Sequence, residues 1–315
     1  MNRHSSAIRV WLSLLFLPNF GQARVAAADS NSPVDSNVLR LALLRAVPKK
    51  WDLDANFAAF LQGLEISVEK KAALFLTPEC WLDGYASPDK ASTPEKIRGI
   101  AQDLDSSPYL KQVATKAKEH GMAICFGFTS LENGQAYNTA GLWDKTGKRL
   151  GVYHKTHLQA HDLQYASGDA LPVWPTPWGP VGIMICADRR WPETARALRL
   201  QGARLILNPT YGFHNDLNEA MMRTRAYENQ CFIAFAHPQQ SLVTAPNGKV
   251  IAKENSVDES SGAPRVMICD IDLSQAKDDN HLRDRRPEIY RSLTEGRSPK
   301  GTTRGHETPA PAQLK

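Results

Sequence analysis

Short apolar runs alternate along the chain with amphipathic stretches. VLRLALLRAV (38–47) reads as a first strand. Beyond it Phe57, Phe60, Leu61, Leu64 and Val68 recur at the three- and four-residue spacing of a helix with one apolar face. ALFL (73–76) is a second, buried strand. Ser107-Pro108 caps and opens another helix, with Leu110, Val113, Ala114 and Ala117 inward and Gly121 as its stop. MAICFGF follows as a strand, and YNTAGLW and KRLGVYH flank a Lys145-Thr146-Gly147-Lys148 turn, the pattern of a hairpin. VGIMIC (181–186) is a strand ending on Cys186, Pro192 opens a helix that Gly202 closes, and ARLIL is again a strand. A helix through Leu217, Met221 and Thr224 precedes the strand CFIAFA, and Asn247-Gly248 turns a last hairpin before VMICDIDL.

Strand–helix alternation argues an α/β fold, and the hairpins make its sheets mixed rather than purely parallel. No internal repeat and no linker interrupts 38–290, so this span reads as one domain.

The two ends read differently. Arg3 and Arg9, the mostly apolar Val10 to Phe20 and Ala26-Ala27-Ala28 have the order of an export signal over residues 1–28, which predicts an exported mature chain. The apolar run falls short of the roughly 20 residues a bilayer requires. The tail 296–315, rich in Pro, Gly and Thr, reads as disordered. The ends also carry the charge. The net +5 reflects three arginines without an acid in 1–28 and a net +3 in the tail, which leaves 29–295 at −1. A basic groove for nucleic acid is therefore not expected.

Of the five cysteines, Cys125, Cys231 and Cys269 sit in apolar runs and read as small core residues. No pair has the short spacing of a zinc or redox motif, so no metal site is expected. Cys186 differs, because ADRRWP follows it directly. Arg189, Arg190 and the N–H groups ahead of the Pro192 helix make an electropositive setting that favours a thiolate. Taken alone it is equally a core cysteine at a strand end.

Two further residues close strands in the same way. Glu79, in TPECWLDGY, follows the ALFL strand and Pro78 at the edge of the sheet, where burial suits a carboxylate to general-base work. Lys155, in GVYHKTHL, is placed to hold an oxyanion. Each alone also fits a solvated surface group.

Together, in the order Glu–Lys–Cys, they resemble the nitrilase superfamily of carbon–nitrogen hydrolases. The likeness rests on TPECWLDGY, YNTAGLWDKTGKRLGVYHKTHL and ICADRRWPETARALRLQGARLILNP, with RTRAYENQCFIAFAHP and APNGKV downstream, and runs from Val38 to the RRPEIY stretch. It implies a four-layer αββα sandwich that often dimerises, and a thioester mechanism without a cofactor. Glu79 is then base and acid, Cys186 the nucleophile, and Lys155 and the Ala187 backbone N–H the oxyanion holders. CADRRWPET is most similar to the N-carbamoyl-D-amino-acid hydrolase branch, which implies that Arg189 and Arg190 hold a substrate carboxylate. As a pair they equally suit a surface salt bridge.

The chain departs from the family twice. Ala187 replaces a residue that is usually polar, and THLQAHDLQYASGD lacks the family's second glutamate. Asp162 and His161 are the nearest stand-ins, and with His157 they complete the residues expected near the substrate. The implied substrate is a small linear amide or N-carbamoyl compound; a nitrile is open to the same thiolate. The competing readings are a cysteine hydrolase with an Asp-Lys-Cys set on a three-layer sheet, and an idle binding protein on the same scaffold. A homo-oligomer without a membrane span in the mature chain is the expected assembly.

Overall fold

The computed structural model describes residues 38–213, 215–255 and 263–294. The segments read as export signal and tail lie outside the described residues. Two six-stranded mixed sheets form the framework. The first runs in the order β12 (Arg265–Asp272), β1 (Val38–Arg45), β2 (Leu74–Leu76), β3 (Ala123–Glu132), β4 (Gln135–Trp143) and β5 (Arg149–His154). The second runs β11 (Val250–Asn255), β10 (Gln240–Thr244), β9 (Phe232–Ala236), β8 (Leu205–Pro209), β7 (Val181–Ile183) and β6 (Val173–Trp174). Each holds a parallel trio, β1-β2-β3 and β7-β8-β9, flanked by antiparallel strands.

Three hydrophobic clusters define the layers. Between the sheets, Leu41, Leu43, Leu74 and Leu76 share a core with Ile183, Ile185, Leu205 and Leu207. The alternate residues of the first sheet, Ala42, Leu44, Phe75 and Phe126, turn outward against α1 (Leu53–Glu69) and α3 (Pro108–His120) through Phe57, Phe60, Leu64, Leu110 and Val113. On the far side α4 (Pro192–Leu200) and α5 (Asp216–Asn229) bury Leu198, Met222 and Ala226 against Ile206, Ile233 and Phe235. The architecture is the expected αββα sandwich. Strands covered on both faces explain why ALFL and the Leu205–Leu207 part of ARLIL are unbroken apolar runs rather than alternating ones.

Local chemistry sets the helix ends. Ser107 Oγ accepts the Leu110 N–H at 3.3 Å, and Gly121 closes α3 in the left-handed region at φ 59°. Another helix, α2 (Pro94–Ile100), was not evident from the apolar pattern; Ile97 is its one buried residue.

Three expectations need correction. The strand leading to the cysteine ends at Ile183, not at Cys186: the Met184 N–H still reaches the β8 carbonyl of Leu207 at 3.0 Å, but the Ile185 N–H turns to the Asp188 carboxylate at 2.8 Å. Glu79 does not lie at an edge, since β2 is an interior strand. Finally, the residues that mark α5 in the sequence are not the ones it buries. Leu217 is 61% exposed and Thr224 is exposed, while Asn218, Met222, Arg225, Ala226 and Asn229 are buried.

Candidate active site

Inner strands of both sheets deliver Glu79 and Cys186, and the edge strand β5 delivers Lys155. Past the end of β2, Thr77 and Pro78 lead to Glu79, whose side chain is fully buried. One carboxylate oxygen, Oε1, accepts from Asn138 Nδ2 and from Lys155 Nζ, both at 2.8 Å; the other, Oε2, accepts the Tyr211 backbone N–H at 2.8 Å. Lys155 follows β5, and its N–H continues that strand's pairing by reaching the Asn138 carbonyl at 2.9 Å. Its ammonium, also fully buried, spans two carboxylates, with Asp162 Oδ2 at 2.7 Å opposite Glu79. Burial opposes the charged form of Lys155, but Glu79, Cys186 and Asp162 outweigh it and hold its pKa well above the ordinary lysine value.

Cys186 begins a 3-10 turn, Cys186–Arg190, with its backbone in the left-handed region at φ 45°. This conformation costs a non-glycine residue about 1–3 kcal/mol, a kind of strain that concentrates at functional sites. The Cys186 S–H donates to the Tyr211 carbonyl at 3.2 Å, and Arg189 Nη1 lies 3.4 Å from the sulfur. The peptide groups of Tyr211 therefore bind both Glu79 and Cys186. The electropositive setting is real, since Lys155 and Arg189 both favour the thiolate. Yet burial, aided by Glu79, prevails and pushes the thiol above its ordinary range. At rest the sulfur keeps its proton, and a base has to take it.

Asp188 ties the cysteine turn to the lysine loop. Its Oδ2 accepts from Tyr153 Oη at 2.6 Å and the Ile185 N–H at 2.8 Å. Its Oδ1 accepts the His157 N–H at 2.9 Å and Thr156 Oγ1 at 3.0 Å, and lies 2.8 Å from His157 Nδ1. The His157 ring also stacks on Trp191 at 4.2 Å. This histidine, expected near substrate, is thus engaged on two sides by the protein.

The two arginines are brought to one side chain but set at different depths. Both guanidinium groups lie over the Phe213 ring, at 5.0 Å for Arg189 and 5.3 Å for Arg190. Arg189 is fully buried and donates to Asn218 Oδ1 at 2.7 Å, whereas Arg190 is exposed and donates to Gln159 Oε1 at 2.6 Å. Ala187 lies in the first turn after the cysteine, where helical N–H groups lack intrahelical acceptors. His161 is half-exposed, and its ring bonds to Tyr85 rather than to Lys155.

Sequence reasoning missed Asn138, Tyr211 and Asp188. Asn138 lies in a strand without any local motif, and Tyr211 acts through its backbone. Asp188 was legible as the acid between Cys186 and the arginines. Among the described residues no group of three or more His, Cys, Asp or Glu side chains is arranged to hold a metal ion. No helix there is long and apolar enough to cross a membrane.

Residues 40–280 match the carbon-nitrogen hydrolase family profile. The chain belongs to this family. A protein described as a hydrolase in the pqqF 5' region of Pseudomonas protegens is 32% identical over 88% of this chain and 99% of its own length. The N-carbamoylputrescine amidase of Arabidopsis thaliana is 27% identical over 77% of this chain and 91% of that protein. Among solved structures, an amidase from Nesterenkonia sp. superposes with a TM-score of 0.69 at 24% identity, covering 81% of this chain and 96% of that one, and shares the fold. The chain is thus a carbon–nitrogen hydrolase, with Glu79, Lys155 and Cys186 brought together beyond the ends of strands from both sheets.

Proposed function

We propose that the enzyme cleaves a small linear amide or N-carbamoyl compound through a thioester on Cys186. Glu79 takes the S–H proton as the sulfur attacks the carbonyl carbon. Lys155 Nζ and the Ala187 N–H stabilise the resulting oxyanion. Glu79 then gives its proton to the leaving nitrogen as the C–N bond breaks. It next takes a proton from water, whose oxygen attacks the thioester, and returns that proton to sulfur as the C–S bond breaks. One carboxylate suffices, because each step restores the protonation state the next requires.

One observation carries this reading: Glu79 and Cys186 bind the same residue, Tyr211, through its N–H and its carbonyl, beside a lysine buried between carboxylates. The elevated thiol pKa supports a base-assisted attack over a standing thiolate. Relatives that act on amides, an omega-amidase of Xenopus tropicalis at 30% identity and the plant N-carbamoylputrescine amidase, support the carbonyl class. In this reading Arg190, exposed at the site, meets an acidic end of the substrate. Asp162 serves Lys155 rather than substrate. Export after loss of residues 1–28 and self-association are further proposals, which N-terminal sequencing and gel filtration of the expressed chain test.

The test is turnover of linear primary amides and N-carbamoyl amino acids, with intact mass followed during the reaction. Wild type should release the amine and carry a transient acyl mass on Cys186. Cys186→Ala should lose both, by more than about 10³-fold in kcat. Turnover retained by Cys186→Ala would overturn the proposal.

A further inference from the structure

The loop that supplies Glu79 folds back on itself. Cys80 and Tyr85 both hold left-handed backbone, at φ 43° and 53°, and the Tyr85 N–H closes the turn on the Cys80 carbonyl at 3.0 Å. Left-handed backbone is uncommon for a bulky side chain and persists only where its surroundings enforce it. Here the turn drives the phenol inward. Tyr85 is buried, and its hydroxyl donates to Asp162 Oδ1 at 2.8 Å. With that proton committed, the phenol oxygen accepts from His161 Nε2 at 2.9 Å, so the histidine carries a hydrogen on Nε2. The other oxygen of Asp162 receives Lys155 Nζ at 2.7 Å and the Gln159 N–H at 3.1 Å.

The consequence is an unbroken chain: His161, Tyr85, Asp162, Lys155, Glu79. Its two ends differ, since Glu79 is fully buried and the His161 side chain is 48% exposed. Tyr85 and Glu79 lie on one loop; His161, Asp162 and Lys155 follow β5 on another. Between them the Tyr85 hydroxyl bridges the loop that bears the base and the loop that bears the lysine.

We propose that Tyr85, backed by His161, is a positioning residue: it fixes the Asp162 carboxylate so that this short side chain holds Lys155 against Glu79. The proposal rests on reading Glu79, Lys155 and Cys186 as the reacting set. An aspartate is one methylene shorter than glutamate, and its carboxylate rotates freely about the last torsion unless both oxygens are engaged. The tyrosine engages one with a charge-assisted hydrogen bond, which leaves the other facing the ammonium. Tyr85 itself does not reach the reacting atoms; its ring centre stands 5.8 Å from Lys155 Nζ.

A double-mutant cycle tests this with Tyr85→Phe, Asp162→Asn and the pair combined. The readouts are kcat and KM on the amide that wild type cleaves fastest, and the rate of Cys186 alkylation by iodoacetamide. Tyr85→Phe should lower kcat about tenfold, the scale of one hydrogen bond to a charge, with KM within about twofold. In the Asp162→Asn background the same change should cost less than about twofold. His161→Gln, which keeps an N–H donor, should preserve kcat, while His161→Phe should lower it. These two act at a half-exposed position and keep the test decisive if Tyr85→Phe fails to fold. Equal losses from Tyr85→Phe in both backgrounds, a rise in KM at constant kcat, or equal damage from both His161 variants would overturn the proposal. If wild type hydrolyses no amide, the functional reading fails, while the alkylation cycle still decides whether Tyr85 acts through Asp162.

Discussion

A buried carboxylate with three donors around it has spent its lone pairs well, and Glu79 is such a group. Asp83, in the same loop, is buried as well. Asp83 accepts from the Ala86 N–H at 3.1 Å, the Thr129 N–H at 3.1 Å and Thr129 Oγ1 at 2.9 Å, yet burial outweighs all three and raises its pKa from 3.8 to about 6. The folded value exceeds the unfolded one, so the native state holds this proton more tightly. The associated stability is complete below about pH 4 and is lost as pH rises through about 6. Relative to Asp83→Asn, wild type should lose up to about 3 kcal/mol between pH 4 and pH 7, read from urea midpoints at each pH. A constant difference between the two proteins would show that Asp83 is ionised throughout. At this scale the sequence was legible wherever chemistry is written in a side chain beside a strand end, as for Cys186, Lys155 and Glu79. It was silent on Tyr211, because a backbone N–H and carbonyl look alike at every position.

Among the elements, β3 controls where the base stands. Its Gly127 lies directly against the Thr77–Cys80 segment: a Cβ there would come within 2.4 Å of the Pro78 carbonyl oxygen and 3.0 Å of the Cys80 nitrogen. Both are backbone atoms, so Gly127→Ala can be accommodated only by shifting the loop that carries Glu79. A displacement near 1 Å at a reacting group costs about 10²-fold in rate. Steady-state kinetics of Gly127→Ala should show that loss in kcat, beyond any change in melting temperature; unchanged kcat would mean that the loop tolerates the shift. The helix α5 explains a different failure of pattern reading. Its buried face carries Asn218 and Arg225, which serve the cysteine turn: Asn218 accepts from Arg189, and Arg225 Nε donates to the Arg189 carbonyl at 3.1 Å. Apolar periodicity locates a helix that packs by burial alone and misplaces one that packs by hydrogen bonds. The hairpins turned at Lys145–Lys148 and Asn247-Gly248, and α3 with its caps in the sequence, were legible; the longer β3–β4 hairpin was not.

On the scale of the whole molecule, the site exists because two sheets share one core. Glu79 and Lys155 come from the first, Cys186 and Tyr211 from the second, and the leucines and isoleucines between the sheets hold them in register. Leu207→Ala, in the middle of that core, should cost about 2–5 kcal/mol, measured as a shift of the urea midpoint. A shift below about 0.5 kcal/mol would mean that the sheets pack independently of it. The αββα layering was inferred through resemblance; strand–helix alternation alone gave α/β and no layer count, since the pairing of distant strands leaves no local mark.

The central claim is that Glu79 and Lys155 govern the reactivity of Cys186. Brief iodoacetamide treatment of wild type, Glu79→Gln and Lys155→Ala, read by intact mass, tests it without any substrate. All five cysteines are buried and unpaired, and burial raises every thiol, so peptide mapping locates the label and its dependence on Glu79 and Lys155 is what decides. The account predicts a label on Cys186 slowed by at least about tenfold in either variant: Lys155→Ala removes a charge that favours the thiolate, and Glu79→Gln removes the base that takes the S–H proton as the sulfur attacks. Equal rates in all three proteins would contradict it and leave Cys186 an ordinary buried thiol.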